Sequence, residues 1–117
     1  MHRDRRPAGW GTLEVSDLGE VLKAAERWDA VLLDSLTLWV SANEEDRALA
    51  EFEGFLAGAE DLDVPFVLVS DEVGLGVVPE SEAGRRFRDE LGLVNQRAAE
   101  AAEEVYLCVA GVDVRIK

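Results

Sequence analysis

The sequence is 117 residues long and 48% apolar, which suits a single globular domain. Its formal net charge of −13 argues against binding to the nucleic-acid backbone or to an anionic membrane. Neither a signal peptide nor an apolar segment of membrane-spanning length is visible, so we expect a cytoplasmic protein with no nucleic-acid or membrane partner.

The first twelve residues are predicted to be irregular, because a proline and two glycines interrupt any periodicity. Four charged residues and the only histidine occupy positions 2–6, which is typical either of a solvated terminus or of a functional segment. Weak alternation over Thr12–Val15 predicts a short strand. Asp17, followed three residues later by Glu20, predicts the start of a helix over about 17–28.

An uninterrupted apolar run over 30–33 ends at Asp34 and predicts a strand buried on both faces, as in a parallel sheet. Asp34 then has two interpretations. It caps the helix that follows, or it is a functional acid at the carboxyl end of the strand, where ligands of such sheets bind.

The middle of the chain is predicted to form helices followed by a second buried strand. A helical segment over 36–40 is followed by a longer helix over about 44–60, with the acids Glu44, Glu45 and Asp46 in its first turn. A second apolar run over 65–70 predicts another buried strand. Two strands separated by helices imply a right-handed crossover and a parallel sheet.

Gly74–Pro79 is predicted to be a loop, after which a helix begins near Ser81 and keeps one apolar face as far as Val105. Gly92 is expected to kink or divide that helix. Three arginines, Arg85, Arg86 and Arg88, lie near its start, either as a solvated face with surface ion pairs or as a phosphate-binding cluster.

The last part of the chain predicts a third buried strand over 105–110 and a fourth over 114–116. Cys108 lies within the third strand and is therefore expected to be a buried, inert thiol.

Four segments carry a family resemblance: His2–Pro7 with Trp10, Thr12 and Glu14; Val31–Thr37; Val69–Pro79; and Gly84–Asp89 running into Val94–Gln96. In this order and spacing they resemble the bifunctional adenosylcobinamide kinase / adenosylcobinamide-phosphate guanylyltransferase family of cobalamin biosynthesis. The resemblance implies a P-loop NTPase-like, three-layer α/β fold with a mostly parallel sheet. It also implies an enzyme that phosphorylates adenosylcobinamide and then transfers GMP from GTP through a GMP-histidine intermediate.

The resemblance also assigns roles to residues. His2 matches the histidine that takes the GMP, and an unprotonated imidazole is a good nucleophile near neutral pH. The acids Glu14 and Asp34 match two acids of the nucleotide site, and Asp34 suits the acid associated with Mg²⁺. The segment that matches the nucleotide-holding part of the family consists of Arg3, Asp4, Arg5 and Arg6. The implied substrates are GTP or ATP and the corrinoid, and the implied assembly is a homo-oligomer, a trimer.

Family members begin with a strand and a Gly-rich P-loop that the sequence lacks. We therefore expect residues 1–117 to form a single, N-terminally truncated nucleotide-binding α/β domain that is weak or inactive alone. Two alternatives stay open. One is a non-catalytic domain that only associates with itself or a partner, and the other is a different P-loop-like ATPase that uses Asp34, Arg85 and Arg86.

Overall fold

The computed structural model describes residues 9–43 and 47–117. The predictions for positions 2–6 and for Glu44–Asp46 lie outside the described residues. The elements are α1 (Leu18–Ala25), β1 (Val31–Asp34), α2 (Leu36–Ala42), α3 (Ala48–Glu60), β2 (Phe66–Val69), α4 (Glu82–Ala101), β3 (Tyr106–Val109) and β4 (Val112–Arg115). The chain is thus a mixed α/β fold, as expected.

Helix α1 begins where the sequence predicts. The Asp17 carboxylate accepts a hydrogen bond from the backbone N–H of Gly19 at 2.8 Å and so caps the helix. The helix ends at Ala25 rather than at 28. The backbone N–H groups of Arg27 and Trp28 donate to carbonyls three residues earlier, which is the hydrogen-bond pattern of a tighter turn and not of an α-helix. The strand predicted over 12–15 does not form, since no strand in the described ranges pairs with it.

Strands β1 and β2 form a two-stranded parallel sheet in which Val31 pairs with Phe66 and Asp34 with Val69. Helices α2 and α3 make the crossover between them. The prediction that these strands are buried on both faces is wrong. Alternate residues pack into the core, whereas Leu32, Val67 and Val69 are exposed on the other face, because no described element covers it.

The core lies between the helices and the covered face of this sheet. Its most deeply buried side chains are Phe52, Leu36, Leu91 and Val94. Aromatic rings connect α3 to its neighbours: Trp39 and Phe52 have ring centroids 6.3 Å apart, and Phe55 meets Phe66 edge-on at 5.7 Å. This packing holds α2, α3 and α4 together under the sheet.

Helix α4 is a single helix of 20 residues that runs through Gly92 without a division, so the predicted break is wrong. Ser81 caps it by accepting a hydrogen bond from the N–H of Gly84 at 3.0 Å. The helix ends at Ala101, so Val105 lies beyond its end and does not extend its apolar face.

The last two strands form an antiparallel hairpin and do not join the parallel sheet. Ala110 and Gly111, both with positive φ, make the two-residue turn. The prediction of a third buried strand is therefore wrong, and so is that of a buried Cys108, which is exposed. The reason is that β3 pairs only with β4 among the described strands, which leaves both faces of the hairpin open.

Candidate functional site

Asp34 is the last residue of β1 and is exposed at the carboxyl end of the strand. The structure decides against the capping interpretation. Ser35, not Asp34, is the N-cap of α2, and its Oγ accepts a hydrogen bond from the N–H of Leu38 at 3.3 Å. The Asp34 carboxylate makes no hydrogen bond or ion pair with the described residues. It is therefore available to a ligand at the edge where ligands of parallel sheets bind.

Glu14 and Asp34 line the same groove, which has a volume of about 1170 Å³. One wall is the irregular segment Gly9–Ser16, and another is formed by β1 with Val67 of β2. Trp39 holds the first wall in place, because its indole Nε1 donates a hydrogen bond to the carbonyl of Ser16 at 3.0 Å. Both acids that the family resemblance assigns to the nucleotide site thus lie on the lining of one groove.

The remaining predicted site residues, His2, Arg3, Asp4, Arg5 and Arg6, lie outside the described residues. They precede Gly9, which itself lines the groove.

A second polar arrangement lies at the carboxyl end of β2. Ser70 donates a hydrogen bond from its Oγ to Oδ1 of Asn95 at 2.5 Å, and Nδ2 of Asn95 donates to the carbonyl of Asp71 at 3.1 Å. The N–H of Asp71 donates to Oγ1 of Thr37 at 2.9 Å. The peptide groups of Asp71 are therefore held by α2 on one side and by α4 on the other.

The loop that follows is anchored at both ends. Near its start, Oε1 of Glu72 accepts a hydrogen bond from the N–H of Gly74 at 2.7 Å. At its end, Nη1 of Arg85 donates to the carbonyls of Pro79 and Glu80, at 3.0 and 2.8 Å. The loop 71–80 is thus fixed by side chains of α4 at both of its ends.

The arginines at the start of α4 favour the surface interpretation. Arg86 pairs with Glu82 at 3.2 Å, and Arg88 pairs with Asp89 at 2.9 Å. Nη1 of Arg85 donates hydrogen bonds to backbone carbonyls of the loop. All three arginines thus have partners within the local structure.

Sequence reasoning missed the roles of Thr37, Ser70 and Asn95, which it used only as parts of matching motifs. One signal was available for Asn95. It follows Leu91 by one helical turn and so lies on the buried side of α4, where an amide needs hydrogen-bond partners.

Comparison with known proteins agrees with the matched segments. The family model described as cobinamide kinase / cobinamide phosphate guanyltransferase matches residues 1–116. The bifunctional adenosylcobalamin biosynthesis protein CobU of Salmonella typhimurium is 38% identical over 135 residues, which cover 99% of this chain and 75% of the relative. CobP of Pseudomonas aeruginosa, which carries the same description, is 41% identical over 122 residues, covering 99% and 70%.

CobU of Escherichia coli is 36% identical over 135 residues, with 99% of this chain and 75% of the relative covered. None of the helices in the described ranges has the length and apolar character that crossing a bilayer requires. The chain belongs to the cobinamide kinase / cobinamide phosphate guanyltransferase family, a family of enzymes.

Proposed function

We propose that this chain has the function of an adenosylcobinamide kinase and adenosylcobinamide-phosphate guanylyltransferase, with His2 as the nucleophile that carries GMP between GTP and the corrinoid, and that its activity on its own is weak. The observation that carries the proposal is the family match over residues 1–116, which includes the segment around His2. The curated relatives are named as bifunctional proteins of adenosylcobalamin biosynthesis, which supports two activities in one chain.

In this reaction an imidazole nitrogen of His2 attacks the α-phosphorus of GTP. The bond to the bridging oxygen breaks, and pyrophosphate leaves. The GMP group then passes from the nitrogen to the phosphate of adenosylcobinamide phosphate, which restores the imidazole. Arg3, Arg5 and Arg6 supply positive charge for the transferring phosphoryl group, and the fork geometry of arginine suits phosphate oxygens.

Chain connectivity supports the placement of this segment. Arg6 precedes the groove-lining residue Gly9 by three residues, a span of at most about 10 Å in extended chain. The length of the chain therefore allows Arg6 to reach the groove that Glu14 and Asp34 line. We propose that Asp4 and Glu14 orient the guanine nucleotide there.

The carboxyl end of β1 fits a Mg²⁺ ion. Asp34 presents an exposed carboxylate, and Mg²⁺ is commonly held by one or two carboxylates together with water and nucleotide phosphates. Among the described residues no group of three His, Cys, Asp or Glu side chains could hold a metal ion. When bound, the ion would neutralise charge on the phosphates of GTP or ATP.

We further propose that the chain associates with itself, as the resemblance implies. The motivation is the pair of exposed valines on the hairpin, Val109 and Val114, which lie away from the groove. Sedimentation of the wild type and of Val114→Lys tests this. An assembly in the wild type that the lysine dissociates is the expected result, and a wild-type monomer contradicts the proposal.

Labelling with GTP tests the proposed function. An acid-labile, alkali-stable label from the α-phosphate of GTP indicates a phosphoramidate on histidine or lysine. Because His2 is the only histidine, loss of that label in His2→Ala identifies it. We expect this label in low yield on the wild type and on the control Arg115→Ala, because the chain alone is weakly active, and none on His2→Ala. Label from the γ-phosphate alone, or α-label that survives in His2→Ala, contradicts the mechanism.

A further inference from the structure

We propose that strand β4 pairs antiparallel with β4 of a second copy of this chain, in the register that places Asp113 opposite Arg115 of that copy and Val114 opposite its own counterpart. The inference rests on the self-association proposed above and deepens it, because it names the contact. Three observations carry it: the open outer edge of β4, the direction of the backbone groups along that edge and the charges on it.

The outer edge of β4 is open to another strand. Among the described strands β4 pairs only with β3, and every residue of β4 is exposed. The unpaired backbone N–H and C=O groups of such an edge are a template for a strand of another chain. A two-stranded hairpin is marginally stable by itself, so pairing with further strands stabilises it.

The hydrogen bonds of the hairpin determine which residues face outward. The N–H of Ile116 donates to the carbonyl of Val105 at 2.8 Å, so the backbone of Ile116 faces the β3 side. Alternate residues of a strand direct their N–H and C=O groups to the same edge. Asp113 and Arg115 therefore direct theirs outward, and an added antiparallel strand must bond to these two residues.

The charges of these two residues select the register. Two copies related by a two-fold axis can place Asp113 opposite Asp113, Arg115 opposite Arg115, or Asp113 opposite Arg115. The first two registers oppose like charges, whereas the third forms an opposite-charge pair on each side of the axis. The third register is therefore the one that the sequence of the strand favours.

Both side chains have capacity for this contact. The Asp113 carboxylate makes no hydrogen bond or ion pair with the residues that the structure describes. Arg115 donates from Nε to the carbonyl of Lys117 at 2.9 Å and places Nη1 3.6 Å from Oε1 of Glu104. Its Nη2 has no partner in the described part of the chain, so it can donate to a carboxylate of the second copy.

The same register aligns the apolar side chains of β4. Because side chains alternate between the faces of a strand, Val112 and Val114 lie on the face opposite to Asp113 and Arg115. Val114, which is 53% exposed, meets Val114 of the second copy at the two-fold axis as a non-hydrogen-bonded pair. The Cα atoms of such a pair are about 4.5 Å apart.

Disulfide trapping tests the register, because a disulfide requires Cα atoms less than about 7 Å apart. In a Cys108→Ser background, which removes the only native thiol, Val114→Cys should give a covalent dimer on mild oxidation. Val112→Cys is the matched control, since this valine is also exposed but is displaced by about 13 Å along the strands from its counterpart in this register. Its covalent dimer should form at least about tenfold more slowly.

Charge reversal in the Val114→Cys/Cys108→Ser protein provides a second test. Asp113→Arg places like charges at both pairs and should slow trapping about tenfold, although it makes the acidic chain less negative overall. Arg115→Asp should slow trapping in the same way. A mixture of the two variants should give the mixed covalent dimer, because their charges are complementary.

The outcomes separate this contact from self-association in general. Equal trapping of Val114→Cys and Val112→Cys overturns the inference, and so does trapping of Asp113→Arg that is as fast as without it. A wild-type trimer that gives no trapped dimer overturns the inference and leaves the proposed self-association intact, whereas a wild-type monomer contradicts both. None of the described hairpin residues lines the groove of Glu14 and Asp34, so labelling of His2 tests the enzymatic function separately.

Discussion

Replacing Trp39 with phenylalanine should loosen the wall of the groove. The side chain of Trp39 is 6% exposed, and its Nε1–H holds the carbonyl of Ser16 at 3.0 Å. Because Ser16 is exposed, water can donate a hydrogen bond to its carbonyl in the variant. The loss of the bond from Trp39 therefore lowers the free energy of unfolding by only about 1 kcal/mol. The smaller ring buries less apolar area against Phe52, which costs about 1 kcal/mol more.

The expected loss is therefore about 2 kcal/mol in the free energy of unfolding, or about 8 °C in Tm for a chain of this length. Urea unfolding followed by circular dichroism measures it. Trp10→Phe is the matched control, because Trp10 is 54% exposed and its replacement should cost less than about 0.5 kcal/mol. Equal stability of the two variants would refute the argument that Trp39 fixes the segment 9–16 to α2.

Further predictions concern α4 and the hairpin. A Cβ at Gly92 would have no neighbour within 4 Å, so Gly92→Ala should stabilise the protein by about 1 kcal/mol. A Cβ at Gly84 would lie 2.9 Å from Cβ of Pro79, so Gly84→Ala should destabilise the protein. Thermal unfolding of both variants checks this, and the same sign for both would contradict it. The charge of Glu104 raises the pKa of Tyr106, the only tyrosine, so its phenolate absorbance should titrate above the ordinary value of about 10. Glu104→Gln should lower that midpoint, and an unchanged midpoint would contradict the assigned cause.

Local signals predict most of the elements well. Asp17 and Ser81 both cap helices where the sequence places helix starts, and the two apolar runs over 30–33 and 65–70 become the paired parallel strands. Capping and periodicity depend on residues within a few positions of each other, so the sequence alone carries them.

Burial is predicted less well, because it depends on which elements become neighbours. The run around Cys108 has the same apolar character as β1, yet it pairs only with β4 among the described strands and stays exposed. The sequence also left open whether Asp34 caps α2. The adjacent Ser35 is an equally good acceptor, and only the backbone geometry shows that the serine takes this role.

The candidate site is predicted in part. Asp34 lies at a strand end, as expected, and shares a groove with Glu14, although these residues are 20 positions apart and no local pattern relates them. The hydrogen bonds that join Thr37, Asp71 and Asn95 connect three elements distant in sequence. Such contacts follow from the packing of α2 and α4 against the sheet, which periodicity does not specify.

The central claim is that His2 and Asp34 meet at one guanine-nucleotide site. Nuclear magnetic resonance of the tag-free protein with GTP and Mn²⁺ in place of Mg²⁺ tests it most directly, because the single histidine gives one set of imidazole signals. We predict that Mn²⁺ with GTP broadens these signals in the wild type, and that Mn²⁺ without GTP, or Asp34→Asn with GTP, leaves them sharp. Sharp His2 signals in the wild type while Mn²⁺–GTP broadens other resonances would contradict the claim.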